Sequence, residues 1–459
     1  MISRKIETEL RRFFAEDKRA LLVTGARQTG KTFSIRRVAK ECFEQVIEIN
    51  FYEQKDAVQL FSDVKNASDF LFRLSAFVHK PLVPDKTLIF FDEVQYCPEI
   101  VTMIKFLVDA GSYRYVLSGS LLGVALKSIR SVPVGYLDVM DMFPLDFEEF
   151  AMAIGIGSGI LSNIRECYAN RKPVDTFVHN RMLDLVRLYL MVGGMPAAVQ
   201  SYLDTNNMKN VSEVQRSIIR LYKMDIGQYD PDHKLQIGDI YDLIPAELND
   251  KNKRFVLKDL SDKNRFKRYE QSFLWLVDAG VAIPTYCVNL PKSPLELSRS
   301  ANLFKLFSND VGLLACQYGS DIQIRLLNGD VNINNGAIFE NFAAQELHAH
   351  GWGLGDDGHL FFYNNKKFGE LDFVIEQSGQ ALPIEIKSGK DYHRHNALDN
   401  AMRNEDWNIP EAYVFCQDNL QVNKREDGCV TYLPIYMLMC LERTKLQDAV
   451  FKFDLSGLM

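Results

Sequence analysis

The sequence predicts an α/β fold whose first part is a parallel β-sheet with helices between its strands. Apolar runs of strand length occupy residues 20–24, 46–51 and 87–91, and a segment of helical periodicity, residues 31–43, lies between the first two. Such alternation is typical of parallel sheets, because parallel strands need a crossover connection that is usually a helix. Glycine-rich or acidic turns follow two of the runs. Since open α/β sheets bind ligands at the carboxyl ends of their strands, we expect the functional site there.

The turn after the first strand carries the most specific motif of the chain. Its eight residues fit G-x-x-x-x-G-K-[ST], and they are Gly25, Ala26, Arg27, Gln28, Thr29, Gly30, Lys31 and Thr32. In this motif backbone N–H groups surround the phosphates at a helix N-terminus, the lysine reaches the β/γ oxygens and the hydroxyl ligates Mg²⁺. A purely structural glycine turn does not require Lys-Thr after the second glycine. The motif therefore predicts a nucleoside triphosphate site that takes ATP and Mg²⁺.

Acidic and hydroxyl side chains follow the next two predicted strands. Residues 87–91 are followed by Asp92 and Glu93, and residues 113–117 lead into a Ser-Gly-Ser turn that ends at Ser120. We expect Asp92 to hold Mg²⁺ through water and Glu93 to polarise the attacking water. Ser120 is predicted to place its hydroxyl beside the γ-phosphate. The alternatives are a solvated acidic turn for the carboxylates and a helix N-cap for the serine.

Length and composition favour a multidomain globular protein. A chain of 459 residues holds about three domains at ~150 residues each, and its 47% hydrophobic and 25% charged content is ordinary for globular proteins. A net charge of −7 argues against coating nucleic acid by overall charge, so such contact needs a local basic patch. The scattered cysteines, without a C-x-x-C pair, fit reduced thiols. No stretch is apolar and long enough for a bilayer, which predicts a cytoplasmic protein without membrane contact.

The order of motifs is similar to that of a known family. The glycine-rich loop is followed by LIFFDEVQ, VLSGS, MFPLDFEEF and YLMVGGMP. Together these resemble the prokaryotic AAA+-like ATPases whose C-terminal half is an uncharacterised domain with a nuclease-like end. The resemblance implies ATP hydrolysis, a helical lid and a homo-oligomer. Family members usually carry Gly-Arg where this chain has Gly135-Tyr136. If that arginine acts as a finger in trans, either Arg130 or Arg114 replaces it in this chain or hydrolysis is slow.

The middle of the chain predicts a helical lid and a basic module. Residues 181–229 are helical in pattern, with a turn at Gly193-Gly194, and residues 155–159 suggest a flexible linker. Residues 251–268 contain eight lysines and arginines against two aspartates, and an amphipathic stretch and an apolar run follow. This order is similar to a helix-turn-helix with a wing, so it predicts contact with the DNA backbone. A solvated helical face is an equal alternative.

A predicted β-hairpin near the C-terminus gathers a second set of chemical groups. One strand, residues 369–376, carries Asp372, and the next, residues 382–389, carries Glu385 and Lys387 on one face. Two carboxylates hold a divalent metal, and a neighbouring lysine orients or deprotonates a metal-bound water that attacks a phosphodiester.

An amphipathic helix upstream of this hairpin is predicted to complete the site. It spans residues 336–347, and Glu340 borders its apolar side as a third metal ligand. The four groups in this order resemble the PD-(D/E)xK nuclease fold. The resemblance implies a metal-dependent nuclease site, although its activity does not follow from the fold.

These observations predict four domains: an AAA+-like ATPase core (1–155), a helical lid (156–235), a winged-helix-like module (236–325) and a nuclease-like α/β domain (326–459). The predicted function is an ATPase that couples nucleotide state to an interaction with nucleic acid. One alternative is a slowly hydrolysing switch that binds DNA or a protein and keeps an inactive nuclease fold. The other is a metal-dependent nuclease gated by ATP.

Overall fold

A computed structural model of the chain describes residues 2–61, 66–120, 135–229, 233–249, 263–319, 336–353 and 359–443, with the single positions 64, 133 and 325 and the pair 255–256. Side chains at 228–229, 255–256, 263–270 and 301–302 are outside this description. Two β-sheets organise the described residues, with a helical region between them. The chain is therefore an α/β protein, as predicted.

The first sheet is five-stranded and parallel throughout. Its strands, in the spatial order β2-β3-β4-β1-β5, are β1 (Ala20–Thr24), β2 (Gln45–Asn50), β3 (Thr87–Asp92), β4 (Arg114–Ser118) and β5 (Leu137–Asp141). The helices of this part are α1 (Lys5–Glu16), α2 (Lys31–Cys42), α3 (Ala67–Val78) and α4 (Glu99–Asp109). Every residue of β3 is buried, which explains its continuous apolar run. The predicted parallel core is confirmed.

The segment after β5 leaves the sheet through a capped helix. Helix α5 (Phe147–Ile154) begins at Asp146, whose carboxylate accepts from the Glu149 N–H while the Glu149 side chain accepts from the Asp146 N–H. This capping box fixes the residue at which α5 begins. The predicted flexible linker at 155–159 is wrong, because Gly155 caps α5 and helix α6 (Ser158–Ala169) begins directly after Gly157.

A helical region shares its buried core with the second sheet. It contains α7 (Thr176–Val192), α8 (Pro196–Thr205), α9 (Met208–Tyr229) and α10 (Lys234–Asn249). Gly194 forms the predicted turn between α7 and α8, and a Cβ on it would lie 2.0 Å from the Leu145 carbonyl oxygen. Among the described residues no single helix is long and apolar enough to cross a membrane; α7 and α8 together meet that length and composition, with a bend of 117° between them.

The second sheet is mixed and has nine strands in the order β13-β14-β12-β11-β10-β9-β7-β8-β6. These strands are β6 (Phe255–Val256), β7 (Ala282–Val288), β8 (Arg299–Ser308), β9 (Leu360–Asn365), β10 (Gly369–Gln377), β11 (Gln380–Ile386), β12 (Glu411–Cys416), β13 (Gln421–Arg425) and β14 (Gly428–Pro434). Its helices are α11 (Lys263–Asp278), α12 (Val311–Tyr318), α13 (Gly336–Ala349) and α14 (Asn396–Met402).

One pairing in this sheet changes the predicted organisation. Strand β7 pairs in parallel with β9, with Thr285 opposite Leu360. The strands predicted as the wing of a separate module therefore share one sheet with the predicted nuclease-like part. Sequence patterns missed this pairing because it joins strands that are far apart in the chain. The basic side chains of 251–268, on which DNA contact was predicted, are outside the described part.

The predicted C-terminal hairpin and its preceding helix are both present. Strands β10 and β11 are antiparallel, with Phe373 opposite Ile384. Their tight turn contains Ser378 at φ 52° and Gly379 at φ 77°, and two successive positive φ values are typical of the type I′ turns that join such strands. Helix α13 covers the region predicted to carry Glu340.

Candidate functional site

The loop between β1 and α2 has the backbone geometry of a phosphate site. Gly25 has φ +136°, and a Cβ there would lie 2.1 Å from the Met142 carbonyl oxygen. Gly30 has φ +98° and precedes α2, whose first N–H groups donate to no capping side chain. The first N–H groups of a helix attract anions when no side chain satisfies them. The loop therefore fits the phosphates that its motif implies.

The side chain of Lys31 lies along this loop. Its Nζ donates to the carbonyl oxygens of Gly25, at 3.0 Å, and Ala26, at 2.8 Å. Burial lowers the pKa of Lys31 to about 8. The hydrogen bonds of this ammonium go to neutral carbonyls, and anionic phosphate oxygens are stronger partners for a buried cation. Thr29 is fully buried, and its hydroxyl donates to the Ala26 carbonyl at 3.0 Å, which fixes the loop. Gln28 adopts a left-handed backbone conformation, at φ 66°.

Asp92, at the end of β3, lies against the hydroxyl of Thr32. The Thr32 Oγ1 is 3.1 Å from each carboxylate oxygen of Asp92. The Asn50 amide donates to the same carboxylate at 3.0 Å, and the Ser118 hydroxyl also donates to it. Burial raises the pKa of Asp92, while these hydroxyl donors oppose the shift. Oxygen ligands of this kind suit Mg²⁺, so Thr32 and Asp92 fit the predicted ion.

The sequence interpretation missed Asn50 and Ser118 as partners of Asp92. Each is the last residue of a strand adjacent to β3, because β2 and β4 flank it in the sheet. Polar residues at the carboxyl ends of neighbouring parallel strands meet at one edge. That rule was the available signal, and it required the strand order, which periodicity alone does not give.

Glu93 and Ser120 are close to each other at this edge. The Ser120 Oγ lies 3.4 Å from Glu93 Oε2, and the Gln95 amide donates to the Glu93 carboxylate. Glu93 adopts φ 57°, in the left-handed region that costs a side-chain-bearing residue energy and that recurs at functional sites. The structure thus brings Ser120 into contact with Glu93, together with Gln95, which the sequence interpretation did not consider.

Arg114 does not occupy this edge. Arg114 is the first residue of β4, and its guanidinium donates to the Phe14 carbonyl at 3.0 Å. Ser118, at the other end of the same strand, contacts Asp92. Arg114 therefore cannot serve the P-loop of its own chain, because the strand separates the two. Arg130, the other predicted replacement for the family arginine, lies outside the described residues.

Arg4 is a buried contact of the loop that the sequence interpretation missed. Its guanidinium donates to the carbonyl oxygens of Thr29, at 2.8 Å, and Phe143, at 2.7 Å, and to the Glu149 carboxylate, at 3.1 Å. Arg4 is 8% exposed. It therefore ties the nucleotide loop to helix α5. A single arginine in a polar N-terminal segment gave no signal for this role.

The second group of predicted residues lines a cavity of about 460 Å³ beside the C-terminal hairpin. Its walls include Glu340, Glu370, Asp372, Glu385 and Lys387. The Lys387 Nζ lies 2.7 Å from Glu385 Oε1, and Asp372 accepts from the Ile386 N–H at 2.9 Å. Burial raises the pKa of Glu385 to about 8, and the charge of Asp372 adds to the effect.

The predicted three-carboxylate metal site is corrected by these positions. No three His, Cys, Asp or Glu side chains among the described residues are arranged to share a metal ion. Glu340 lies instead 3.9 Å from the ammonium of Lys305, a fully buried residue of β8 that is also 2.6 Å from Glu370. The ammonium of Lys305 therefore balances the charge of Glu340 and Glu370. Asp372 and Glu385 remain as the two carboxylates beside Lys387 that could hold a metal ion.

Three family models match separate parts of the chain. Residues 17–151 match an AAA domain, residues 183–323 a domain of unknown function (DUF8612), and residues 335–438 another domain of unknown function (DUF4143). No curated protein matches the sequence significantly.

Solved structures that resemble the chain overlap it only in part. A Walker-type ATPase of Pyrococcus abyssi is 14% identical, covering 69% of this chain and 96% of its own, with a TM-score of 0.43. Cdc6p from Pyrobaculum aerophilum is 11% identical, covering 72% and 94%, with a TM-score of 0.25. PCH-2 of C. elegans is 13% identical, covering 46% and 69%, with a TM-score of 0.27. These scores are too low to define a common fold over the whole chain.

The parallel sheet and the glycine-rich loop define the N-terminal part as a P-loop nucleotide-binding domain. Its match to an AAA domain over residues 17–151 makes it an AAA-family P-loop ATPase domain. Domains of this family generally bind ATP with Mg²⁺. The two regions that follow it belong to families of unknown function.

Proposed function

We propose that this protein hydrolyses ATP at the P-loop and uses the nucleotide state to control the C-terminal cavity and its interaction with nucleic acid. The observation that carries the ATPase proposal is the contact of Thr32 with Asp92 beside the buried ammonium of Lys31. Lys31 neutralises charge on the β/γ-phosphates, and Thr32 and Asp92 hold Mg²⁺. Glu93 orients and polarises the attacking water, and Ser120 positions the Glu93 carboxylate.

The test separates nucleotide binding from hydrolysis. Titration of a fluorescent ATP analogue measures affinity, and phosphate release measures turnover. Lys31→Ala is expected to weaken binding at least tenfold, because a charge-assisted contact is worth roughly 1.5–3 kcal/mol. Glu93→Gln is expected to keep affinity and lose hydrolysis. Lys40→Ala, an exposed lysine on the same helix, is the matched control. Parent-like hydrolysis by Glu93→Gln would remove Glu93 from its proposed role.

We propose a metal-dependent phosphodiesterase activity on nucleic acid as a second function. The supporting observation is that Glu385 is 8% exposed, lines the cavity, and has a second oxygen, Oε2, without a hydrogen-bond partner among the described residues. A buried carboxylate oxygen in a polar cavity is stabilised by a cation. Asp372 and Glu385 would hold the metal, and Lys387 would orient or deprotonate the water that the metal activates.

Metal binding and cleavage are measured on the same preparations. Calorimetry with Mg²⁺ or Mn²⁺ detects the metal, and nicking of DNA or RNA detects cleavage. Asp372→Ala is expected to lose both, whereas Lys387→Ala keeps metal affinity and loses cleavage. Lys390→Ala, exposed and three residues further on, is the control. If the parent protein binds no metal outside the nucleotide site, this second function is rejected and the domain is a scaffold.

A slowly hydrolysing switch is the third candidate, and one observation favours it. Tyr136 stands where the resembling family usually has an arginine, and its carbonyl accepts from the Ala20 N–H at the amino end of the sheet. A missing arginine finger lowers the hydrolysis rate by several orders of magnitude. Turnover that stays low at high protein concentration, where a partner copy would supply such a finger, supports this candidate.

A further inference from the structure

Arg27, the third residue of the P-loop, forms a long-range ion pair with the helical region. Its Nη1 lies 2.5 Å from Oδ1 of Asp225 on helix α9. Asp225 is 2% exposed, whereas the Arg27 side chain remains 32% exposed. The cation is therefore accessible to an incoming ligand, and the anion is not.

Helix α9 also holds the backbone of the same P-loop residue. One turn before Asp225, the Tyr222 hydroxyl donates to the Arg27 carbonyl at 3.3 Å. The Asn309 amide in turn donates to Tyr222 at 3.4 Å. One face of α9 thus contacts both the main-chain carbonyl and the guanidinium of Arg27. A change in its side-chain partner would therefore alter how the helical region docks on the loop.

Asp225 depends on Arg27 for its charge balance. Its other oxygen, Oδ2, is buried and has no hydrogen-bond partner within the described part of the chain. Burial raises the pKa of Asp225, Arg27 opposes this shift, and Glu93 adds to it. Removing the cation from a buried carboxylate is strongly unfavourable, so α9 would have to move until water or a proton reached the carboxylate.

A triphosphate in the loop competes for the same guanidinium. ATP carries about four negative charges. A guanidinium can bind phosphate oxygens in the same bidentate geometry that it uses with a carboxylate, so the phosphates can replace Asp225 as its partner. The other arginine at this loop, Arg4, is buried and already engaged by Thr29, Phe143 and Glu149. Arg27 is more exposed and has Glu93, the proposed base, in its electrostatic surroundings.

We infer that Arg27 is the residue that senses the γ-phosphate, and that it exchanges Asp225 for this phosphate when ATP binds. Arg27 contacts the substrate directly, and Asp225 is the positioning residue that holds it in the nucleotide-free state. The exchange releases α9 and so transmits ATP binding to the helical region. ADP lacks the third phosphate and leaves the ion pair in place. The inference rests on ATP binding at the P-loop, which Lys31→Ala tests separately.

The test compares nucleotide affinity with the mobility of α9. Affinities for ADP and for a non-hydrolysable ATP analogue are measured by calorimetry, and hydrogen exchange follows the backbone amides of residues 208–229. In the parent protein the ATP analogue is expected to raise exchange in α9, and ADP is not. Arg27→Gln is expected to bind the ATP analogue about tenfold more weakly and ADP within twofold of the parent. Arg27→Lys keeps the positive charge and is the second variant in case Arg27→Gln does not fold. It is expected to retain part of the parent's preference for the ATP analogue over ADP.

Asp225→Asn is expected to change the affinity for the ATP analogue in the opposite direction to Arg27→Gln. It removes the competing anion, so it is expected to bind the ATP analogue several times more tightly and to exchange rapidly in α9 even without nucleotide. Asp242→Asn is the matched control, because it breaks the exposed Lys223–Asp242 pair between α9 and α10. Equal loss of ATP-analogue and ADP affinity in Arg27→Gln would overturn the inference. So would unchanged exchange in α9 when the parent binds the ATP analogue. If Lys31→Ala binds nucleotide as the parent does, the nucleotide site itself is wrong.

Discussion

The carboxylate of Glu346 accepts a hydrogen bond from the backbone N–H of Phe147 across 2.9 Å, in the buried interior. Phe147 opens helix α5, which follows the last strand of the parallel sheet, and Glu346 belongs to α13. The same helix carries Glu340, which lines the C-terminal cavity. One rigid element therefore contacts both the nucleotide-binding part and the cavity.

Replacing Glu346 by glutamine is expected to be tolerated. Burial raises the pKa of Glu346 well above its ordinary value, which favours the neutral form, and glutamine preserves the oxygen that accepts from the Phe147 N–H. We expect Glu346→Gln to lower the free energy of unfolding by less than about 1 kcal/mol. Glu346→Ala leaves the Phe147 N–H unsatisfied and opens a cavity, which costs about 2–4 kcal/mol. Urea unfolding of both variants checks this. Equal losses would mean that Glu346 is charged in the folded state.

His348 is expected to make the protein sensitive to acid. Its ring packs 5.0 Å from that of Phe143, and burial lowers the pKa of His348 to about 4. The unfolded chain then binds a proton that the folded chain does not, so stability is full above about pH 6.5 and is lost as the pH falls toward 4. The loss is at most about 3 kcal/mol, at ~1.4 kcal/mol per pH unit.

His348→Phe is expected to flatten this pH dependence. Phenylalanine is similar in size and cannot be protonated, so the difference in Tm between pH 7 and pH 5 should shrink relative to the parent protein. His79→Asn is the control, since His79 is exposed and its left-handed backbone, at φ 51°, accepts asparagine. A parent-like slope in His348→Phe would show that other groups set the acid sensitivity.

Local patterns were sufficient to predict the backbone features around the glycine-rich loop. The glycine-rich loop, the buried strand before Asp92 and the cap at Asp146 are each encoded within a few consecutive residues, and the structure contains all three. The same holds for the hairpin that carries Asp372 and Glu385. Short-range periodicity and turn chemistry determine such features, so a single sequence reveals them.

Contacts between distant segments could not be predicted in this way. Arg27 and Asp225 are 198 residues apart, and no periodicity links them. In the sequence Lys305 is one polar residue within a predicted strand. In the structure it is buried beside Glu340 and Glu370, because β8 lies near α13. Which strands become neighbours depends on the free energy of the whole fold. Two of the corrected predictions, the separate wing and the three-carboxylate metal site, were wrong because the sequence does not give those neighbours.

The close approach at Gly194 predicts a large loss of stability on substitution. Its N–H donates to Asp310 at 2.6 Å, and a Cβ there would lie 2.0 Å from the Leu145 carbonyl oxygen. Gly194→Ala therefore has to displace backbone, and we expect a loss of about 3 kcal/mol or more. Gly159→Ala is the control, because no atom lies within 4 Å of the new Cβ and alanine favours the helix by up to about 1 kcal/mol. Thermal unfolding distinguishes them, and similar Tm values would contradict the predicted clash.

The basic stretch at 251–268 is expected to bind the phosphate backbone of DNA. Reversing Lys263, Arg265 and Lys267 to glutamate should weaken binding to every DNA sequence alike and flatten its dependence on salt. Each lost phosphate contact removes about one released counterion, so the slope of log K against log salt should fall by about one per contact. Fluorescence anisotropy at several salt concentrations measures both effects.

The control for this experiment is a second triple reversal with the same change in net charge. Lys40, Lys80 and Lys209 are exposed and lie outside the basic stretch, so their reversal to glutamate tests overall charge alone. If the stretch contacts DNA, only the first variant loses affinity and slope, while the second shows a smaller loss at low salt that vanishes as salt screens the added charge. Equal losses in the two variants would assign DNA binding to overall charge. Unchanged binding in the first variant would make the stretch a solvated helical face.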